Sequence, residues 1–227
     1  VKHHLMFNNV PAGELETRLL RFRKRLDGAH PQWSMAVIVN KINLFYFTGT
    51  FQEGMLVVPR EGEAILWIRR SFQRARMESE FPDIRPMDSF RDAAAAYPQI
   101  PEVIHVETEF LSLAYLQRFR KYFPCRDVLP LDVQVAEVRS VKSPYELEIM
   151  ERCGNQHRLV LEERVPELLR EGMSEVDLAG ELYRAMLLDG HHGVARFGMF
   201  DTEIVIGHIA FGESSLYPTS FNGPGGN

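Results

Sequence analysis

MAVIVNKINLFYFTGTFQEGMLVVPREGEAILWI, residues 35–68, decides the fold class of this chain. Its opening run, Met35-Ala36-Val37-Ile38-Val39, is too short for a helix and rich in β-branched side chains, which suits a buried strand. Met55-Leu56-Val57-Val58 and Ala64-Ile65-Leu66-Trp67-Ile68 form two further apolar runs. Pro59-Arg60-Glu61-Gly62-Glu63 lies between them and reads as a hairpin loop, with Gly62 where the backbone needs a positive φ. Asn43-Leu44-Phe45-Tyr46-Phe47-Thr48-Gly49 reads as a second extended or edge segment that closes on a glycine.

Upstream, Leu15, Leu19, Phe22 and Leu26 recur at the spacing of one helical face with arginines and lysines between them, so an amphipathic helix precedes the first strand and ends near Asp27-Gly28. Downstream, helices are expected over 72–80, 90–97 and 110–123, with a strand at Val103-Ile104-His105-Val106 between the last two. This alternation predicts an α/β domain with a mixed sheet flanked by helices, the hairpin supplying its antiparallel pair. His105 sits in a strand, where a half-buried, hydrogen-bonded histidine is expected in preference to a catalytic one. The segment holds no Gly-rich phosphate loop, no nucleophile elbow and no HExxH pair, so it reads as a scaffold.

Leu131 to Val141 reads as a connector, and a strongly specified helix start follows it. Ser143 can cap the orphan amides, Pro144 suits the first helical position because its missing donor costs nothing there, and Glu146 completes a capping box. Leu147, Met150, Gly154, His157 and Leu161 continue at helical spacing, with a bend or break expected at Pro166 and an end at Gly172. Ser174 and Asp177 form a second box, followed by the stripe Val176, Ala179, Leu182, Tyr183 and Met186 before Gly190.

The stretch RSVKSPYELEIMERCG, Arg139 to Gly154, resembles the opening of the catalytic domain in the creatinase, prolidase and aminopeptidase P family of metallopeptidases, whose members carry an R-x-x-K-[ST]-x-x-E-[IL] start. Ala36 to Pro59 is similar to that family's amino-terminal domain, with Asn43 to Gly49 standing for its N-[IL]-x-Y-[FL]-T-G signature. Glu171 to Glu175 resembles the glycine-marked link between the first two helices of the catalytic domain. The resemblance implies an amino-terminal domain over residues 1–135 and the start of an incomplete pita-bread domain over 136–227. It implies a metal-dependent peptidase that cuts the bond before proline, using two divalent ions (Mn, Co or Zn) held by two aspartates, a histidine and two glutamates.

Those ligands are expected downstream, because Ser220 to Asn227 looks like the strand and turn that precede the first metal-binding aspartate. No metal ligand and no cofactor site is therefore assigned in these 227 residues, which alone are expected to be inactive. A proline-containing peptide is the implied substrate of the complete protein and a homodimer its implied assembly. Two other readings share the fold: a metal-independent amidinohydrolase of the creatinase type, and a non-catalytic module for binding or oligomerisation.

The catalytic residue stays unknown, and the single candidate is His208, which follows the strand-like run Glu203 to Gly207 from where it can reach a substrate pocket. His191 and His192 follow a helix end, where a cation is favoured by the helix dipole, so a structural cap is expected. Asp201 and Glu203 are expected to face solvent, and Phe197, Phe200, Phe211, Tyr217 and Phe221 to form core or pocket wall. His3 and His4 are expected to be mobile terminal residues.

Composition removes several function classes. A formal charge of -5 with 25% charged residues offers no positive field for a nucleic acid. The two cysteines, Cys125 and Cys153, suggest neither a disulfide framework nor a thiolate cluster and are expected as buried, reduced thiols. No run approaches the roughly 18 to 20 apolar residues of a membrane span, and the start lacks a signal-peptide core, so a cytoplasmic address is expected.

Overall fold

The amphipathic stretch upstream of the first strand folds as α1 (Ala12–Ala29) and buries Leu15, Phe22 and Leu26. The computed structural model describes residues 9–196, 203–220 and 223–225. Arg18 falls on the same buried stripe of α1, where Glu14 compensates its charge at 2.7 Å and the Tyr46 carbonyl accepts from it at 2.7 Å. The chain then runs through β1 (Met35–Ile38), α2 (Lys41–Thr48), β2 (Gly54–Pro59), β3 (Ile65–Ile68), α3 (Phe72–Glu78) and β4 (Ile84–Pro86). It continues through α4 (Phe90–Ala94), β5 (Val103–Val106), α5 (Leu113–Arg120), β6 (Asp127–Pro130) and α6 (Asp132–Ser140).

The six strands form one mixed sheet in the order β4-β3-β2-β1-β5-β6. The β1–β2 and β2–β3 pairs are antiparallel and the other three are parallel. Met35, Val37, Met55, Val57, Ile65, Trp67, Ile104 and Val106 point to one face, where Ala93 of α4 and Phe119 of α5 close over them. The intervening residues Ala36, Ile38, Leu56, Val58, Leu66 and Ile68 are buried too. Helix α1 packs with α2 and α6 on that second face, with the Phe22 and Phe47 rings 5.1 Å apart. Burial on both faces is why these strands read as unbroken apolar runs instead of alternating ones. At Gly54 the hairpin leaves no room for a side chain, since a Cβ there would lie 2.1 Å from the Trp67 carbonyl oxygen.

Several expectations are corrected. Asn43 to Gly49 is not extended: it lies in helix α2 and its cap. The Asn40 side chain accepts from the Ile42 and Asn43 amides at 2.9 and 3.3 Å, and Gly49, at φ 76°, donates its N–H to the Phe45 carbonyl at 2.7 Å. Two good caps outweigh an aromatic-rich composition that favours strand. The expected connector is mostly helix α6. His105 is neither half-buried nor hydrogen-bonded: it is 2% exposed, neither ring nitrogen has a partner among the described residues, and its ring lies 4.5 Å from that of His30.

The described residues divide into two compact units, the first ending at Val141 and the second starting at Lys142. In the second, Ser143 Oγ accepts the Glu146 amide at 3.1 Å and Glu146 Oε2 accepts the Ser143 amide at 2.9 Å, which starts α7 (Pro144–Leu159). A single π-helical turn, Val160–Arg164, leads into α8 (Val165–Leu168). Pro166 explains the widened turn, because its ring has no N–H to offer and crowds the carbonyl of Glu162 one turn earlier. A second capping box, Ser174 with Asp177, starts α9 (Glu175–Leu188). Strands β7 (Ala195–Arg196) and β8 (Glu203–Ile204) then pair antiparallel, so β8 covers only the start of the strand-like run. The readings at His3, His4, Phe197, Phe200, Asp201 and Phe221 lie outside the described residues.

Candidate functional site

Neighbouring parallel strands β1 and β5 send their following helices to opposite faces of the sheet, α2 against α1 and α5 against Val37 and Ile104. In open α/β sheets such a divergence leaves a crevice outside the carboxyl ends of the strands, where ligands bind. Here Glu107, the residue after β5, occupies it. Its Oε2 accepts the Val39 and Asn40 amides at 2.5 and 2.7 Å, and its Oε1 accepts Asn43 Nδ2 at 2.5 Å. Asn43 Oδ1 in turn accepts from Arg139 Nη1 at 2.8 Å, so Glu107, Asn43 and Arg139 form one chain of hydrogen bonds. Glu107 is fully buried, and burial pushes its carboxyl above the usual range while the Asn40, Asn43 and Val39 donors pull it down. The seat that would take an external anion is filled by the protein's own carboxyl group.

The signature residues around this chain are absorbed by structure. The Arg18 guanidinium lies 4.3 Å from the centre of the Tyr46 ring and that of Arg139 lies 5.9 Å from it, while the Tyr46 hydroxyl donates to the Val138 carbonyl at 3.4 Å. Phe47 is core, and Thr48 donates its hydroxyl to the Leu44 carbonyl at 2.6 Å. Ser79 donates to the Thr48 carbonyl and ties the end of α2 to the end of α3. Sequence reasoning missed Glu107, and its only local signal is an acidic residue directly after the apolar run Val103 to Val106.

In the second unit His208 is exposed on the loop that follows β8. That loop is held by Glu175 in the first turn of α9, whose Oε1 accepts the Phe211 amide at 2.5 Å and the Ser214 hydroxyl at 2.7 Å. These two donors, with a smaller contribution from His208, hold the Glu175 carboxyl below its ordinary value. His191 does close a turn after α9, but as a neutral acceptor and not as a cation. Its Nδ1 accepts the Gly193 amide at 3.0 Å, and burial, with His192 and His157 nearby, lowers its pKa. Glu203 pairs across the strands with Arg196 at 2.5 Å.

Phe211 and Tyr217 are exposed, against their expected place in a core or pocket wall. Cys153 is exposed as well, whereas Cys125 is buried as expected. One cause serves all three corrections: among the described apolar residues of the second unit only Leu178 and Ala179 are buried, so the described residues offer no core for the others to join. Among the described residues no three His, Cys, Asp or Glu side chains come together in a way that holds a metal ion. The described residues by themselves do not fit the divalent ions that the resemblance implies. No helix of the described residues is long and apolar enough to cross a membrane.

Comparison with known proteins adds two kinds of likeness. A Xaa-Pro dipeptidase of Pyrococcus furiosus is 26% identical over 176 residues, which covers 75% of this chain and 47% of that relative. The chain therefore spans about half the length of the relatives it matches. Among solved structures, the prolidase from Pyrococcus furiosus superposes with a TM-score of 0.66 at 21% identity over 77% of this chain and 54% of its own. A Xaa-Pro dipeptidase from Bacillus anthracis gives 0.69 at 16% identity over 80% and 51%. Both share the fold. Residues 18–141, a segment that takes in the whole six-stranded sheet, match the creatinase/prolidase N-terminal domain, and the chain belongs to that family.

Proposed function

We propose that this chain is the amino-terminal half of a metal-dependent Xaa-Pro peptidase, a dipeptidase or an aminopeptidase P, that hydrolyses the peptide bond before proline. The observation that carries the reading is the family match over residues 18–141, continued by two boxed helices, in a chain whose match covers 47% of a Xaa-Pro dipeptidase relative. A Xaa-Pro bond is a tertiary amide with no N–H, so its recognition needs a pocket shaped to a kinked backbone. In this proposal that pocket and the ions, manganese, cobalt or zinc, belong to the complete polypeptide. No chemical step is assigned to the residues described here.

The role of the first unit is that of a scaffold. Glu107 fills its crevice, and the signature residues hold α2 and α6 together instead of facing a reaction centre. A homodimer and a cytoplasmic address complete the proposal.

The test compares the product of the complete reading frame with the 227-residue chain, using Ala-Pro, Ala-Ala and creatine with Mn²⁺ and with a chelator. The complete product is expected to cleave Ala-Pro only, to lose that activity on chelation, and to sediment as a dimer. The 227-residue chain is expected to cleave nothing. Creatine hydrolysis that survives chelation moves the assignment to an amidinohydrolase, and hydrolysis of Ala-Pro by the shorter chain overturns its inactivity.

A further inference from the structure

On the sheet face covered by α4 and α5, a cavity of about 430 Å³ opens at the carboxyl ends of β3 and β4. Its size lies within the roughly 300–1,000 Å³ typical of small-molecule sites. Tyr115, Arg118 and Tyr122 follow one another at i, i+3 and i+7 on α5 and its end, so they share a helical face, and all three line the cavity. Phe90 stands edge-on to Tyr115, with ring centres 5.1 Å apart, and supplies a further aromatic wall.

The charges around this cavity are unequally engaged. Arg69 is paired with Glu53 at 3.3 Å, which also has Arg70 at 3.7 Å, so the Glu53 carboxylate is satisfied within the protein. Arg118 and Lys121 make no side-chain hydrogen bond or ion pair among the described residues, and Lys121 Nζ lies 5.9 Å from the centre of the Tyr122 ring. Arg91 approaches the same ring at 5.7 Å. Of the two carboxylates on the lining, Glu53 and Asp88, Asp88 is the one that no cation engages among the described residues. The Tyr115 hydroxyl has no hydrogen-bond partner among the described residues, and burial, reinforced by Glu107, keeps it protonated and so able to donate.

We propose that this cavity is a binding site for a small aromatic anion, a carboxylate or a phosphate monoester on a flat ring. The ring lies against Phe90 and Tyr122, the oxyanion takes Arg118 and Lys121, and Tyr115 donates to it. Neither half of such a ligand suffices: an apolar ring lacks the charge contacts, and a bare anion lacks the stacking surface.

The 227-residue chain is titrated by calorimetry with phenyl phosphate and with benzoate, and with benzyl alcohol and inorganic phosphate as half-ligands. Whichever of the first two binds identifies the oxyanion. Saturation below about 10 mM is expected for at least one of them, with each half-ligand weaker by about tenfold or more. The R118E/K121E variant changes two exposed side chains, so its fold is checked by thermal melting, and it is expected to weaken binding by about tenfold. Tyr115→Phe is expected to weaken it severalfold with unchanged salt dependence. No saturation by phenyl phosphate or benzoate, or equal affinity in R118E/K121E, overturns the proposal.

Discussion

Glu107 and His105 lie two residues apart at the end of β5, both buried, and the protein treats them in opposite ways. The carboxylate receives three N–H donors, so removing it in Glu107→Ala takes the acceptor from the part-buried Val39 and Asn40 amides and from the buried Asn43 side chain. The expected cost is about 3 kcal/mol or more by chemical denaturation, because each stranded donor carries a desolvation penalty. Among the described residues the imidazole has no donor or acceptor, and burial followed by the neighbouring His30 lowers its pKa from 6.5 to about 4. A histidine held neutral in the folded state binds fewer protons there than in the unfolded state between those values. Its linkage term is therefore fully present above pH 6.5 and is lost as pH falls toward 4, by up to about 3 kcal/mol. His105→Leu is expected to gain about 1 kcal/mol at pH 7 and to flatten the fall in stability between pH 7 and pH 5. Equal slopes for the two proteins exclude this account. The place of His105 in a strand was legible from its apolar neighbours. Its missing partners were not, nor was the Glu107 cluster, because both depend on residues tens of positions away along the chain.

Whether an element was legible depended on where its specification lies. The boxes at Ser143 and Ser174 were readable because a capping box is written within four consecutive residues, and both form with each hydrogen bond in place. Helix α2 was misread because its interior, Lys41 to Thr48, carries β-formers while its instructions sit at the two ends, Asn40 and Gly49. Strands β4 and β6 were missed for a different reason. They are the sheet edges, and Arg85, Pro86, Asp127 and Pro130 break their apolar patterns, which is also how an edge avoids pairing with another chain. The hairpin gives the sharpest prediction at this scale. Gly54→Ala puts a methyl group 2.1 Å from a backbone oxygen that belongs to β3, so relief requires the strands to part. A loss of about 1–3 kcal/mol in equilibrium unfolding is expected. A neutral result shows that the β2–β3 register is looser than the Met55–Trp67 pairing states.

At the scale of the whole chain the two units differ in what holds them. The first has a sheet buried on both faces, so opening any central strand exposes apolar surface on two sides at once. The second has well-capped helices, yet α7 buries none of its residues and leaves Leu147, Met150 and Leu161, on its face or just beyond it, exposed. Caps fix where a helix begins, but most of its stability comes from packing an apolar face, and an isolated helix of this length is marginal in water. Hydrogen exchange should separate these regimes. Amides of β1, β2 and β5 are expected to exchange only through global unfolding, while those of α7 exchange by local opening, faster by about a thousandfold or more. Equal protection of α7 and β1 at micromolar concentration would mean that something covers the helix in solution. Sedimentation of the same sample then decides whether that cover is a second copy of the chain, and protection of α7 in a monomer would refute the view that packing limits its stability.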